Sequence, residues 1–293
     1  MSDRRSANAP LGRRLLTVAG IDELGAYRVL RVADPGGPEG GRIPRPGQFT
    51  MLAAAERWGG GQDERPYLAR AFSVARRQDG EAHYLLEDVG PGTKRLCELR
   101  AGDGVWALGP LGQGFIAPRD GRRALLVGGG VGVAPLAILQ DALERDAGLG
   151  GGPMDSTRAT SVARTTVLLG FRDGPRAQGA ALLTGARVAT DDGSAGHRGL
   201  ITDLLSEELE RDPHATVYAC GPSPMLEAVR AMCATREVPA QLALEAGMAC
   251  GFGACYGCVV PRRGGGYLRV CVDGPVIDAA ELERVEEHAG APA

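Results

Sequence analysis

The sequence predicts an antiparallel β barrel, then a doubly wound parallel α/β domain, then a small C-terminal cysteine module. Three observations support this: short apolar runs broken by glycine and proline up to about residue 115, a strand–turn–helix pattern beginning at residue 123, and four closely spaced cysteines after residue 249. Regular turns between short strands are typical of barrels, whereas alternating strands and helices indicate a parallel sheet. The predicted domains span residues 1–118, 119–237 and 238–293.

The composition is that of an ordinary globular protein. Of the 293 residues 44% are apolar, which is enough to form the cores of two domains. No apolar run reaches the ~20 residues of a membrane span, and the N-terminal segment lacks the apolar core of a signal peptide, so we expect a cytoplasmic protein that does not bind membranes. A net charge of −3 with 4% aromatic residues does not favour nucleic-acid binding.

Five apolar runs are predicted to be strands of the barrel: residues 27–32, 48–52, 72–75, 84–87 and 104–108. Two glycine-containing segments accompany these runs. Segment 90–93 lies between the last two runs, and segment 109–115 follows the last one. Glycines admit a flat ring system close to the backbone, but turn chemistry in a barrel explains these segments equally well.

The second domain begins with a strand at 123–127 and a glycine-rich turn. Such a turn before a helix lets a backbone approach a pyrophosphate at the helix N-terminus. Tight turns also use glycine for geometry alone, and the run departs from the strict G-x-G-x-x-G pattern. The candidate residues of this turn are Gly128, Gly129, Gly130 and Gly132.

The following elements continue the alternation. Strands are expected at 165–170, 186–190 and 216–219, and helices at 136–143, 201–211 and 224–236, with a polar insertion at 148–161. That insertion occupies the place where an acidic ribose ligand is expected, so Asp173 is the displaced candidate. Arg172 beside it can equally meet a 2′-phosphate, which leaves the choice between NAD and NADP open.

The four C-terminal cysteines have the spacing C-x4-C-x2-C with a fourth cysteine after a short strand predicted at 267–272. This is the plant-type arrangement for a two-iron, two-sulfur (2Fe-2S) cluster. A structural zinc site usually presents two C-x2-C knuckles, and only one is present here. An acidic helix is expected from 278 to about 287. The predicted ligands are Cys250, Cys255, Cys258 and Cys271.

Six motifs in a fixed order resemble the electron-transfer subunits of NAD-linked dihydroorotate dehydrogenases, which belong to the ferredoxin-reductase-like flavoproteins. They are R-x-F-S at 70–73, G-x-G-T at 90–93, G-P-L-G-x-G-F at 109–115, G-G-G-x-G-x-A-P at 128–135, C-G-P-x-x-M at 220–225, and the cysteine run. The resemblance covers about residues 12–276. One departure is Ala71, where relatives usually carry proline.

The resemblance implies three cofactor sites. FAD would lie on the barrel, with Arg70 at its phosphates and Ser73 near the isoalloxazine, and the cysteines would hold the 2Fe-2S cluster. NAD would lie between the Gly128–Gly132 turn and the turn of Gly221 and Pro222, so that Cys220 and Ser73 become the candidate catalytic residues. The other residues implied to line the FAD are Ala71, Phe72, Leu85, Leu86, Glu87, Gly92 and Thr93.

The resemblance also implies a function in pyrimidine biosynthesis. Electrons would pass from an FMN-containing dihydroorotate dehydrogenase subunit, through the cluster and FAD, to NAD, in a heterotetramer of two subunit pairs. We expect Phe252 and Tyr256 to lie near the docking surface for that partner. One alternative is an NAD(P)H reductase subunit of a hydrogenase or a ferredoxin-dependent transhydrogenase. Another is a zinc-stapled scaffold without turnover.

Overall fold

The computed structural model describes residues 12–34, 43–59, 65–148 and 165–283. They form a closed six-stranded barrel, a seven-stranded sheet and a two-stranded hairpin. Apart from residue 148, which ends a helix, the insertion predicted at 148–161 lies outside the described residues. The predicted fold class is confirmed.

The barrel is antiparallel and closes in the order β1-β2-β5-β4-β3-β6. The five predicted runs lie in its strands, except that Gln48 precedes β3, and a further strand, β1, comes before them. Only two residues of β1 are buried. The strands are β1 (Arg14–Leu24), β2 (Tyr27–Ala33), β3 (Phe49–Ala54), β4 (Arg70–Gln78), β5 (Glu81–Glu87) and β6 (Gly104–Leu111).

Strand β3 is buried along its whole length because it has a core on each side. Leu52 and Ala54 belong to the core inside the barrel. Phe49 and Met51 pack instead in a second core that contains Val260 and other residues of the cysteine module. Strand β3 is therefore the wall that the barrel and the cysteine module share.

The segment after β5 forms a short helix, α1 (Pro91–Cys97), where the sequence had indicated only a turn. The Thr93 hydroxyl accepts hydrogen bonds from the amides of Val89 and Gly90, both at 3.0 Å, which caps the helix. Leu96 is fully buried in the barrel core. Capping and burial together stabilise a helix whose first two residues, Pro91 and Gly92, favour helix least.

The second domain is a mainly parallel sheet in the order β10-β9-β8-β7-β11-β12-β15, with only β15 antiparallel to its neighbour. In the described part of the chain no helix is both long and apolar enough to cross a membrane. The strands are β7 (Arg123–Gly129), β8 (Thr166–Phe171), β9 (Ala186–Thr190), β10 (His197–Arg198), β11 (Ala215–Cys220), β12 (Ala240–Ala243) and β15 (Val276–Asp278), and the helices are α2 (Val133–Gly148), α3 (Gly174–Ala177), α4 (Ile201–Arg211) and α5 (Ser223–Thr235).

The cysteine module contains a hairpin of β13 (Val259–Pro261) and β14 (Tyr267–Arg269). The strand predicted at 267–272 was too long: it ends at Arg269, whose amide donates to the Asp273 carboxylate at 2.8 Å. The amides of Val272 and Asp273 turn back to the Arg269 carbonyl, so Cys271 lies in a turn.

The sheet of the second domain extends beyond residue 237, because β12 and β15 both belong to it. The domain boundary at 237/238 stays a prediction. The helix predicted from residue 278 is wrong over its described part, since Asp278 ends β15 and caps a single 3₁₀ turn (Ala279–Glu281). The rest of that segment, beyond Glu283, lies outside the described residues.

Arg176 of α3 links the barrel to the second domain. Its guanidinium lies 2.8 Å from the Glu87 carboxylate at the end of β5 and 2.5 Å from the Asp173 carboxylate. Beside it, the Ala26 amide in the β1–β2 turn donates to the Pro175 carbonyl at 3.2 Å. The buried Tyr27 ring packs against the backbone at Gly179. The two domains are therefore joined by charged and by apolar contacts.

Replacing Arg176 by alanine is expected to lower the free energy of unfolding by about 1 to 2 kcal/mol, because it leaves two partly buried carboxylates without their partner. Urea unfolding measures the change. Arg230→Ala is the control, because Arg230 pairs with Glu227 inside one helix, where the loss should be about 0.5 kcal/mol. Equal losses in the two variants would contradict the linking role of Arg176.

Candidate functional site

The barrel presents Arg70 and Ser73 on β4 next to the start of α1. A Cβ at Gly92 would lie 2.7 Å from Arg70 Nε and 2.9 Å from its Cζ, so the guanidinium lies directly against this glycine. A Cβ at Gly90 would meet nothing within 4 Å. Ser73 is half-buried opposite Phe49 of β3, and its hydroxyl has no hydrogen-bond partner among the described residues. Together these residues leave an open cradle with a cation and a free hydroxyl, which suits a phosphate-bearing aromatic cofactor such as FAD.

Several other residues predicted for this site have structural roles within the fold. Leu85 and Leu86 are 3% and 0% exposed in two apolar cores, so neither presents appreciable surface to a ligand. Glu87 pairs with Arg176, and the Thr93 hydroxyl caps α1. Ala71 is exposed and Phe72 is half-buried. The roles of these residues at a flavin stay predictions.

The glycine turn after β7 lies beside the turn after β11, as the strand order requires. A Cβ at Gly129 would lie 2.7 Å from Met225 Sδ, and one at Gly132 would lie 2.3 Å from the Cys220 carbonyl oxygen. A Cβ at Gly128 would contact Leu169 Cδ2 at 2.9 Å. These three glycines therefore permit close packing of backbone and side chains.

Gly130 differs from its neighbours. Its φ is +54°, and a Cβ there would meet nothing within 4 Å. It therefore faces open space at the carboxyl edge of a parallel sheet, where nucleotides bind in open α/β folds. Gly221 has φ +158° and touches Gly129, so the two predicted nucleotide turns are in contact.

Cys220 ends β11 at the same edge. It is buried, and together with Ala243, Val276 and the half-buried ring of Phe115 it forms a small apolar cluster. Burial, reinforced by the negative charge of Glu245, raises the pKa of the Cys220 thiol well above its ordinary value. The residue is therefore a neutral thiol at physiological pH, suited to packing against a ring rather than to acting as a nucleophile.

Glu245 was missed as a site residue in the sequence. It retains exposed surface, but the protein atoms crowded around its carboxyl raise its pKa. It follows β12, whose last residue pairs with Cys220. The sequence signal available was its position at the start of the cysteine run, five residues before Cys250.

Asp173 is engaged within the protein. Its carboxylate caps α3 by accepting the Arg176 amide at 3.0 Å and also pairs with the Arg176 guanidinium. Asp191 and Asp192 are exposed at the end of the neighbouring strand β9. In the sequence this second acidic turn is visible as the run Asp-Asp-Gly-Ser at 191–194, directly after the strand predicted at 186–190.

The four cysteine sulfurs are arranged as two pairs. Cys250 lies with Cys255, and Cys258 lies with Cys271, whose amide donates to Cys258 Sγ at 3.4 Å. The Gly257 amide donates to Cys255 Sγ at 3.5 Å. Among the described residues no group of three or more His, Cys, Asp and Glu side chains is placed to hold a single metal ion. Four cysteines arranged in two pairs fit a 2Fe-2S cluster, which is held by four thiolates.

Backbone amides turn toward the sulfurs and favour the thiolate form. Burial works to raise the pKa of Cys250, but hydrogen bonds from the amides of Phe252, Cys255 and Ala254 lower it to about 7. The Cys271 thiol lowers the pKa of Cys258 to about 6, and the pKa of Cys271 rises in turn. Amide donors around thiolates are what an anionic cluster requires.

The cysteine loop carries two exposed aromatic rings. Phe252 is 52% exposed and Tyr256 is 62% exposed. Tyr256 has φ +58°, a left-handed conformation that is costly for a non-glycine residue, and its ring lies 5.6 Å from the Arg269 guanidinium. The loop thus presents apolar surface beside its sulfurs.

Comparisons with known proteins agree with this arrangement. A family model described as the iron-sulfur cluster binding domain of dihydroorotate dehydrogenase B matches residues 245–283, which include all four cysteines. The chain is 36% identical over 246 residues to the dihydroorotate dehydrogenase B (NAD(+)), electron transfer subunit, of Caldanaerobacter subterraneus subsp. tengcongensis, covering 83% of this chain and 88% of that protein. It is 38% identical over 249 residues to the protein of the same name from Geobacillus kaustophilus, covering 81% and 86%.

Solved structures share the fold. An NADH-dependent reduced ferredoxin-NADP oxidoreductase superposes with a TM-score of 0.71 at 24% identity, covering 94% of this chain and 92% of that one. A ferredoxin NADP⁺ reductase from Neisseria gonorrhoeae gives 0.56 at 16% identity, covering 76% and 91%. The barrel and mainly parallel sheet are thus the ferredoxin-reductase-like architecture.

Proposed function

The chain belongs to the family of dihydroorotate dehydrogenase B electron transfer subunits, and on that premise we propose that it carries electrons between a dihydroorotate-oxidising partner and NAD. The observation that best supports this proposal is that the barrel and the cysteine module share strand β3. Strand β3 packs against the cysteine module on one face and pairs along its edge with β4, which carries Arg70 and Ser73. This arrangement would bring the proposed flavin site on β4 within one strand of the cysteine module that packs on β3.

The proposed cofactors are one FAD, one 2Fe-2S cluster and NAD as a diffusible substrate. When bound, FAD exchanges a hydride with nicotinamide and single electrons with the cluster. The chain's part is to bind and orient: Arg70 offers a bidentate cation to a phosphate, and the free Ser73 hydroxyl offers a hydrogen bond. The four cysteines offer thiolates in two pairs.

The proposed NAD site is the edge formed by the two adjoining turns. Open space at Gly130 supports backbone approach to a pyrophosphate, and the neutral Cys220 thiol would pack against the nicotinamide. Asp173 is a weaker candidate for the ribose than the sequence indicated, because Arg176 and the α3 amide occupy its carboxylate. The choice of NAD over NADP rests on the family membership.

We infer that the partner is an FMN-containing catalytic subunit and that two subunit pairs form a heterotetramer. The same premise implies a role in pyrimidine biosynthesis. A cytoplasmic location is supported by the cysteines, all seven of which are described and free of disulfide bonds.

The function is tested with the reconstituted partner complex. Anaerobically purified protein should show flavin and iron–sulfur absorption bands that bleach with NADH, and the complex should reduce NAD when given dihydroorotate. Bleaching without dihydroorotate-dependent NAD reduction would support an NAD(P)H reductase subunit of another assembly. A colourless protein with stoichiometric zinc would contradict both.

Cys220→Ala is expected to slow NADH-dependent flavin bleaching about tenfold or more, because it removes the side chain proposed to position the nicotinamide. Stopped-flow absorbance measures the rate. Cys233→Ala is the control, since Cys233 is an equally buried cysteine on α5. A Cys220 variant that bleaches as fast as this control would remove Cys220 from the proposed site.

Tyr256→Ala is expected to weaken binding of the partner about 30-fold, the effect of losing an interfacial aromatic anchor worth about 2 kcal/mol. Titration calorimetry with the purified partner measures the affinity. Leu15→Ala is the control, because Leu15 is 57% exposed on β1 of the barrel. Unchanged affinity in the Tyr256 variant would place the docking surface elsewhere.

A further inference from the structure

The cysteine module contacts the barrel beside its first ligand and again beside its last. We propose that Met51 and Gln113 are positioning residues that fix the separation between the cluster site and the flavin site. This inference rests on the proposed function, because it concerns the passage of electrons between those two sites.

The first contact is made by Gly251, the residue after Cys250. Its φ is +79°, and a Cβ there would lie 2.7 Å from Met51 Cγ, 2.9 Å from Met51 Sδ and 3.3 Å from Leu111 Cδ1. Met51 itself is 3% exposed and Leu111 is 4% exposed. The cluster loop therefore lies directly on the Met51 side chain, which cannot move aside within a packed core.

The second contact is made by Gln113, at the end of the 109–115 motif. Its amide donates to the Gly274 carbonyl at 2.5 Å, and its side-chain Nε2 donates to the Val272 carbonyl at 3.3 Å. Val272 directly follows Cys271. A Cβ at Gly112 would lie 2.6 Å from the Gly274 carbonyl oxygen, so the two backbones touch.

The Gly112–Gln113 segment is itself anchored in the barrel. The side chain of Gln48, 3% exposed, donates to the Gly112 carbonyl at 2.7 Å and accepts the Arg45 amide at 2.9 Å. Gln113 also forms a bridge with Pro275, which leads into β15 of the sheet. Barrel, cysteine module and sheet therefore meet at Gln113.

These contacts lie one strand away from the flavin segment. In the β3–β4 pairing Met51 is opposite Ala71, and Phe49 is opposite Ser73. Electron tunnelling falls steeply with distance, so a displacement of the cluster away from the flavin slows transfer. Residues that hold both end ligands against this wall therefore help to set the rate of transfer.

The double variant Met51→Ala/Gln113→Ala tests the proposal in the holoprotein. Stopped-flow absorbance after mixing with NADH follows flavin bleaching and cluster bleaching separately, and EPR of the dithionite-reduced protein reports the uniformity of the cluster. We expect unchanged flavin bleaching, cluster bleaching slowed several-fold, and a broadened EPR spectrum. Met51→Leu, which conserves volume, should retain the wild-type rate.

The control is Met232→Ala/Gln140→Ala, which removes a methionine packed on the same core and a glutamine that donates to the Thr184 carbonyl at 3.1 Å, both in the sheet domain. If cluster bleaching slows equally in this control, the cause is a general loss of packing and the proposal is wrong. Wild-type rates and EPR lines in the Met51/Gln113 variant would overturn it as well.

Hydrogen exchange of the wild-type protein is a second measurement that needs no variant to fold. The Gln113 amide should exchange as slowly as the β6 amides. Exchange as fast as that of Gly264 in the exposed β13–β14 turn would overturn the second contact. Failure of the proposed function itself is distinguishable, because wild-type protein would then lack the flavin or the cluster before any variant is compared.

Discussion

Cys258→Ala is expected to abolish assembly of the cluster and to lower dihydroorotate-dependent NAD reduction by the partner complex more than about 100-fold. Cys258 is 2% exposed, and its sulfur accepts the Cys271 amide at 3.4 Å. No other cysteine is near enough to replace it, because Cys97, Cys220 and Cys233 lie in the other two domains.

The same variant should retain FAD and its reduction by NADH, because neither Arg70 nor the glycine turn depends on the sulfurs. Iron and flavin analysis with EPR of the reduced protein provides the measurement. Cys233→Ala removes a buried cysteine of equal volume from α5 and should keep a full complement of iron. If Cys258→Ala still holds two irons per chain, the proposed ligand set is wrong.

The sequence was sufficient to predict the elements that have strong local signals. The glycine turn after β7 depends on residues close together in the chain, and the structure has a turn there as predicted. β9 and α4 were predicted with their observed bounds. In these segments apolar periodicity and turn residues agree, so local preference and tertiary structure coincide.

Elements stabilised by distant residues were less predictable. Strand β1, of which only two residues are buried, was missed, and α1 was missed because its stability comes from the Thr93 cap and from burial of Leu96. The strand before Cys271 was predicted too long because the turn depends on the Asp273 side chain. Apolar residues alone do not reveal such a turn.

The candidate site residues also divide into those with local partners and those with distant partners. Asp173 has the residue type and position of a ribose ligand, but its carboxylate is engaged locally, because it caps α3 and pairs with Arg176 three residues along the chain. The 109–115 motif, by contrast, is explained by ordinary turn chemistry, and only the fold shows that Gln113 contacts the segment after Cys271. Contacts between residues 159 positions apart leave no local pattern in a single sequence.

Gly132→Ala is expected to destabilise the protein by about 3 kcal/mol, at the upper end of the cost of overpacking. An added Cβ would lie 2.3 Å from the Cys220 carbonyl oxygen, 2.5 Å from its carbon and 2.7 Å from the Gly221 nitrogen. These are all backbone atoms, so no rotamer change relieves the contact. The β7–α2 turn must move away from the turn after β11, which separates the two sides of the proposed NAD site.

Substitution of two further glycines distinguishes an effect on stability from an effect on NAD binding. Gly130→Ala, at φ +54° with open space around it, should cost only about 1 kcal/mol yet weaken NAD binding, because its methyl group faces the proposed pyrophosphate. At Gly12 an added Cβ also meets nothing within 4 Å, so Gly12→Ala should change neither stability nor NAD binding. Thermal unfolding and NADH titration measure the two effects. Full NADH affinity in both Gly130→Ala and Gly132→Ala would show that the nucleotide does not bind at this turn.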